Sequence, residues 1–336
     1  MSSEPDAAAA VRDRYARFAR DEAPGRSELY REWAAGIAAE PGTQELLARI
    51  PATHRQPPLV FAVTRLLGAP ESGYPDWATW LHAHADDVIA ECGRRSLQTN
   101  EPLRCAVLLP ALALIPGPIA LLEVGASAGL CLYPDRYGYR YRRPGGTVAA
   151  LDPIAGVSPV TLECELRGER MPPLALPDVV WRAGIDLAPL DPGDPQTGAW
   201  LTGLVWPGEA GRAARVRDAL ALAASDPPML VAGDAADTIA RVAALAPPET
   251  TLVVTTPGVL AHIPWARRQA AIAAARAAGR WVTIDAPGLH DGWTRPIDLD
   301  AWPGGFAVAL DGEVLAAADP LGGWLEWRAE EAPLPR

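Results

Sequence analysis

Apolar residues recur every three to four positions through roughly the first hundred residues and in short unbroken runs after that. Val11, Tyr15 and Phe18 share one face of a helix predicted over 7–22, and Leu29, Trp33 and Ile37 do the same over 27–39. The same spacing predicts helices at 43–50, 57–67 and 76–93. A further helix is expected to open at Asn100, whose side chain can cap it, with Pro102 in the first turn where a missing N–H costs nothing. Beyond residue 116 the period changes. Five apolar runs, 119–124, 179–185, 229–232, 251–255 and 281–284, read as strands, with helical stretches at 199–224, 236–246 and 266–278. Such alternation builds a mostly parallel sheet covered on both faces. Residues 306–310 and 314–318 flank Asp311-Gly312 and predict a hairpin closing the sheet's edge, while 134–178, rich in Pro, Gly and Tyr, reads as an insertion. The expected architecture is α/β, with an N-terminal all-helical cap domain over 1–115 and the sheet domain over 116–336.

One stretch tests that picture for a membrane span. Cys105 to Leu122 carries no charge, but Pro110, Pro116 and Pro118 interrupt it and Glu123 follows, so it reads as a core helix running into a buried strand. The formal net charge of −11 removes the basic footprint that nucleic acid needs, and no nucleic-acid or membrane partner is expected. All 30 positive residues are arginine. The absence of lysine excludes Schiff-base chemistry, a lysine nucleophile and a lysine-bearing phosphate loop. Cys92, Cys105, Cys131 and Cys164 form no CxxC pair, and the polar N-terminus has no secretory pattern, which points to a reducing cytoplasm.

The most informative segment is Glu123-Val124-Gly125-Ala126-Ser127-Ala128-Gly129, a strand end followed by small residues. Read as G-x-S-x-G, it is a nucleophile elbow with Ser127 as a hydrolase nucleophile and His262 or His290 downstream. Read as acidic-x-G-x-small-x-G, it is a nucleotide-binding turn with Glu123 beside it. The partners of the turn favour the second reading. The second and third strands also deliver carboxylates, Asp186 and Asp234, to the same sheet edge. The gap between the first two acids exceeds the usual ~20 residues, and the insertion accounts for the excess.

Three acids on successive strands resemble the Rossmann-like S-adenosylmethionine-dependent methyltransferases, as does the terminal hairpin with its reversed strand. The resemblance implies S-adenosylmethionine as cofactor, bound by Glu123, Gly125, Ala126, Ser127, Gly129, Asp186, Leu187, Asp234 and Ala235. More specifically, Ser96 to Glu101, Glu123 to Gly129 with Asp135 to Tyr139, and Gly184 to Asp191 resemble the bacterial family catalogued as domain of unknown function 2332. Cys131 and Ala188 stand where that family usually has asparagine, and Thr256 where it often has histidine. The expected activity is methyl transfer to a small-molecule hydroxyl, carboxyl or carbon acceptor; a serine hydrolase and a non-catalytic ligand-binding protein are the alternatives.

Catalytic roles are expected of His262, which follows the fourth strand, and of Asn100, the sole asparagine of the chain. Thr99, Glu101, Arg104, Arg136, Tyr139 and Thr256 are the expected substrate contacts. With no lysine available, Arg104 and Arg136 are the first candidates to meet an anionic group. His82 and His84 diverge by about 200° on a helix and are not expected to share a metal ion.

Overall fold

The computed structural model describes residues 4–98 and 100–329. Its helices begin with α1 (Glu4–Arg17), α2 (Glu28–Ala39), α3 (Pro41–Ala48), α4 (Pro57–Leu66), α5 (Tyr74–Ala83), α6 (Ala85–Arg94) and α7 (Arg104–Leu112). Strands β1 (Pro118–Val124), β2 (Gly138–Arg143), β3 (Gly146–Leu151), β4 (Thr161–Arg167) and β5 (Asp178–Asp186) follow. Then come α8 (Pro195–Gly203), α9 (Arg212–Ser225), β6 (Met229–Ala232), α10 (Ala235–Ala243), β7 (Thr251–Pro257), α11 (Trp265–Ala278) and β8 (Arg280–Asp285). The chain closes with β9 (Phe306–Leu310), β10 (Glu313–Ala318) and β11 (Trp324–Trp327).

The described residues fall into two compact units, one drawn from the first 98 residues with 195–217 and one from 100–194 with the residues from 218 onward. The first is helical. Ser27 caps α2 by accepting from the Tyr30 N–H at 3.2 Å, and Pro41 and Pro57 open α3 and α4. The core of this unit is aromatic: Trp33 stacks on Trp77 at 4.9 Å, and Phe61 packs against Tyr15, Phe18, Tyr30 and both tryptophans. The helix expected over 76–93 is two helices. At His84 the backbone leaves the helical region (φ −118°, ψ 21°) while the ring stacks on Trp80 and its Nδ1 lies 2.8 Å from the Trp80 carbonyl. The helix expected over 199–224 is also two, because Pro207-Gly208 and Gly211 intervene, both glycines at positive φ.

The second unit carries an eleven-stranded mixed sheet in the order β3-β2-β4-β11-β10-β9-β8-β7-β1-β5-β6. The run β6-β5-β1-β7-β8 is parallel throughout, and β9 is antiparallel to β8. Leu122, Val124, Val254 and Trp281 pack one face of this run against Ile239 and Val242 of α10 and Ile272 and Ala275 of α11. The residues expected to form an insertion are themselves strands: β2, β3 and β4 extend the sheet through a parallel β4–β11 pairing. The β9–β10 hairpin therefore lies inside the sheet and not at its edge. Helix α7, although ahead of residue 116, packs on β4, β8 and β9. It starts at Arg104 instead of Asn100, because the buried Glu101 side chain accepts the Leu103 N–H at 3.0 Å and closes the preceding turn.

Candidate functional site

The carboxyl end of β1 lies where the sequence-adjacent strands of the parallel run depart to either side, toward β5 and toward β7. A crevice outside the strand ends at such a switch point is where open α/β sheets bind ligands. The chain after β1 turns sharply. The Gly125 and Ala126 N–H groups both donate to the Ile185 carbonyl, at 2.8 and 3.2 Å. Gly125 has φ +73°, and a Cβ there would sit 2.3 Å from Val259 Cγ2, so this glycine is required by the close approach of β7's following turn. Gly129 also has a left-handed backbone and leads into a short 3-10 turn, Leu130–Leu132, not into the α-helix that either reading of the motif requires.

Two side chains hold this turn. Asp186, at the end of β5, accepts the Ser127 N–H on Oδ2 and the Ala188 N–H on Oδ1, each at 2.9 Å. Asn100 donates from Nδ2 to Ser127 Oγ at 2.5 Å and accepts the Ala128 N–H on Oδ1 at 3.2 Å. Asn100 is thus brought to the glycine turn and does not cap a helix. Ser127 is buried and has φ +50°, a conformation that L-residues other than Asn and Asp seldom adopt. Strain of this kind persists only where surroundings over-determine it, here through Asn100 and Asp186.

Glu123 precedes the turn and is 3 % exposed. Its Oε2 has no hydrogen-bond partner among the described residues. Burial pushes its carboxyl well above the usual range, with Cys131 adding to the effect and the Arg104 charge opposing it. Arg104 is held at the same edge by two carbonyls, donating from Nε to Pro320 at 2.9 Å and from Nη1 to Pro257 at 2.8 Å.

The other expected residues divide. Asp234 caps α10 through the Ala236 N–H at 2.9 Å and pairs with Arg267 at 2.6 Å; the arginine holds its carboxyl below the usual range. Ala235 is buried beneath it, while Leu187 is 79 % exposed beside Asp186. Glu101 serves the turn before α7. Tyr139 is fully buried with its hydroxyl on the Pro134 carbonyl at 2.6 Å, and Arg136 is paired with Asp135 and Asp226 on the surface. His262 is exposed on a short turn after β7. Thr99 lies outside the described residues. His82 lies on α5 and contacts Thr43 Oγ1 at 3.0 Å, apart from His84. No group of three metal-ligating side chains occurs among the described residues.

Thr256 joins a buried network that sequence reasoning missed. Trp281 Nε1 donates to Thr256 Oγ1 at 3.0 Å, Thr256 Oγ1 donates to Thr283 Oγ1 at 2.7 Å, and Thr283 bonds Asp285 Oδ2. His290 Nε2 lies 3.6 Å from the same carboxyl oxygen. The signal was available: Asp285 ends the fifth parallel strand as Glu123, Asp186 and Asp234 stand at or just past the ends of theirs.

An α/β protein with acids at the ends of adjacent parallel strands and a clamped glycine turn is thereby defined. The chain belongs to the family described as an uncharacterized protein conserved in bacteria (DUF2332), whose model matches residues 12–327. No curated protein and no solved structure matches the chain.

Proposed function

We propose that this chain is an S-adenosylmethionine-dependent methyltransferase acting on a small-molecule hydroxyl, carboxyl or carbon acceptor, with a Rossmann-like core formed by β6-β5-β1-β7-β8 and the reversed neighbour β9. The order and direction of these strands support the reading. The observation that carries it is the buried, unpartnered Oε2 of Glu123 at the carboxyl end of the central strand. A polar atom left without a partner in a folded interior is costly, and a ligand donor is one way of satisfying it.

The residues at this edge fit the cofactor in part. Glu123 has an acceptor to offer. Asp186 uses one hydrogen bond on each oxygen, whereas a carboxylate accepts about four, so it retains acceptors for ribose hydroxyls. Leu187, exposed next to it, offers apolar surface to a base. Asp234 is committed to α10 and Arg267 and has no part in this set. The cofactor, when bound, supplies an already activated methyl group, so the protein's work is mostly positioning. Asn100 and Asp186 fix the turn backbone, and Arg104 offers positive charge to an anionic group of the ligand. A cytoplasmic setting belongs to the same proposal, consistent with four free, buried cysteines. No helix among the described residues is long and apolar enough to cross a membrane.

Titration of the purified protein with S-adenosylmethionine in a calorimeter tests the reading. Binding is expected, and it should be lost in Asp186→Ala and weakened at least tenfold in Glu123→Gln. No heat up to millimolar ligand overturns it.

A further inference from the structure

The buried network under the segment that follows β8 has two open ends. Residues 286–305 contain no helix or strand, and of these twenty residues His290 alone is buried. Structureless stretches of this length inside a compact fold are uncommon and tend to carry function. The His290 ring sits against Trp293 at 4.2 Å and Trp281 at 5.8 Å, and its side chain and that of Asp285 are both fully shielded from solvent. Its Nδ1 accepts the Gly292 N–H at 3.1 Å, which assigns the ring proton of neutral His290 to Nε2. That Nε2 has no hydrogen-bond partner among the described residues, and neither has Asp285 Oδ1. Nε2 faces Asp285 Oδ2 at 3.6 Å, too far for a full hydrogen bond, so a loosely held donor and an unmatched acceptor stand side by side, both buried. Elsewhere around the pair the groups are satisfied: Thr283 holds Asp285 Oδ2, and Thr256 and Trp281 hold Thr283 in turn.

A hydroxyl group is the chemistry that matches both ends, because it donates one hydrogen and accepts another. The two indoles beside His290 favour an aromatic ring carrying that hydroxyl. We propose that Asp285 and His290 bind the hydroxyl of a phenol-type substrate, which enters by displacement of 286–305, and that Asp285 Oδ1 receives its proton. This rests on the methyl-transfer reading for the second half of the step. The phenolic O–H bond breaks with its proton going to Asp285. The oxygen's electron pair forms the bond to the methyl carbon, and the carbon–sulfur bond breaks with its pair left on sulfur. Burial raises the Asp285 carboxyl above the usual range, which brings its basicity nearer to that of a phenol, while Thr283, His290 and the Arg104 charge oppose the rise. Asp285 and Glu123 end strands two places apart, about 10 Å across the sheet, with Asp285 three residues further along its strand than Val282, which is level with Glu123, and the Arg104 charge acts on both.

The test uses the full chain, with phenol as probe and toluene as the control without a hydroxyl. Phenol is expected to move the His290 imidazole nitrogen resonances in 15N-labelled protein, and toluene at equal concentration to leave them unmoved. Asp285→Asn and His290→Gln are expected to weaken phenol binding at least tenfold. Absence of the shift in the unsubstituted protein overturns the proposal whether or not the variants fold, as does equal binding of toluene. Phenol binding by a protein that ignores S-adenosylmethionine sinks methyl transfer and keeps the hydroxyl site. The reverse pattern sinks the hydroxyl site alone.

Discussion

Replacing Glu123 by glutamine separates the cost of burying a carboxyl from every other feature of the turn. The side chain is 3 % exposed and its Oε2 is unpartnered, so the folded protein holds it as the neutral acid above the pH at which the unfolded chain ionises it, near 4.5. A group whose folded-state pKa is raised contributes stability that is complete below the unfolded value and is lost as pH rises toward the folded one. Each pH unit across that interval removes about 1.4 kcal/mol of unfolding free energy. Glu123→Gln keeps the shape and cannot ionise, so its stability lacks this slope. The substitution also buries an amide in place of an acid, a constant change of about 1–3 kcal/mol if the amide finds no acceptor. The constant term cancels when the difference between the two proteins is followed with pH. Urea unfolding of both at pH 5 and pH 8 is the assay. The stability of Glu123→Gln relative to the parent should rise between the two by at least about 1.4 kcal/mol. An unchanged difference would mean that Glu123 is ionised and paired in solution, refuting the orphaned-acid argument.

Two further substitutions probe the same edge. Gly125→Ala forces a Cβ to within 2.3 Å of Val259 at φ +73°, and should lower stability by about 2–3 kcal/mol in denaturant unfolding, with Val259→Ala in the same chain recovering part of the loss. Asp234→Ala removes the α10 cap and should cost about 0.5–2 kcal/mol, yet leave S-adenosylmethionine binding unaltered, since that carboxylate already serves Ala236 and Arg267.

What the sequence made legible follows from how local each signal is. The five parallel strands were readable because buried strands are continuous apolar runs, and all five expected runs overlap observed strands. The acids at their ends were readable because each breaks such a run. The breaks at His84 and at Pro207-Gly208 needed more than periodicity: at the first, a ring contact ends the helix, and at the second, the glycines do. Of the strands at 138–167, β2 and β3 form a local hairpin turning at Gly145, but the sheet they join is reached only through β4, whose partner β11 comes from the far end of the chain and is announced by no local pattern. Asn100 looked like a cap because capping is the local use of asparagine. Its actual partners, Ser127 and Ala128, lie more than twenty-five residues on.

The three acids counted in the sequence are equivalent there and distinct in the fold, and the distinction lies in what each already binds. Asp234 is spent on a helix end and an arginine, and Asp186 holds two backbone N–H groups that shape the turn. Glu123 and the overlooked Asp285 each keep an oxygen with no partner among the described residues. A carboxyl that organises backbone explains itself, because its burial is compensated by the bonds it makes. One that keeps a buried oxygen unmatched is compensated only in part, and two of them at the ends of parallel strands on either side of β7, with the Arg104 charge acting on both, concentrate that deficit at one edge. Chemistry at this sheet is therefore to be sought not only at β1 and β5, where Asp186 stands, but also across β7 toward β8, where Asp285 ends its strand.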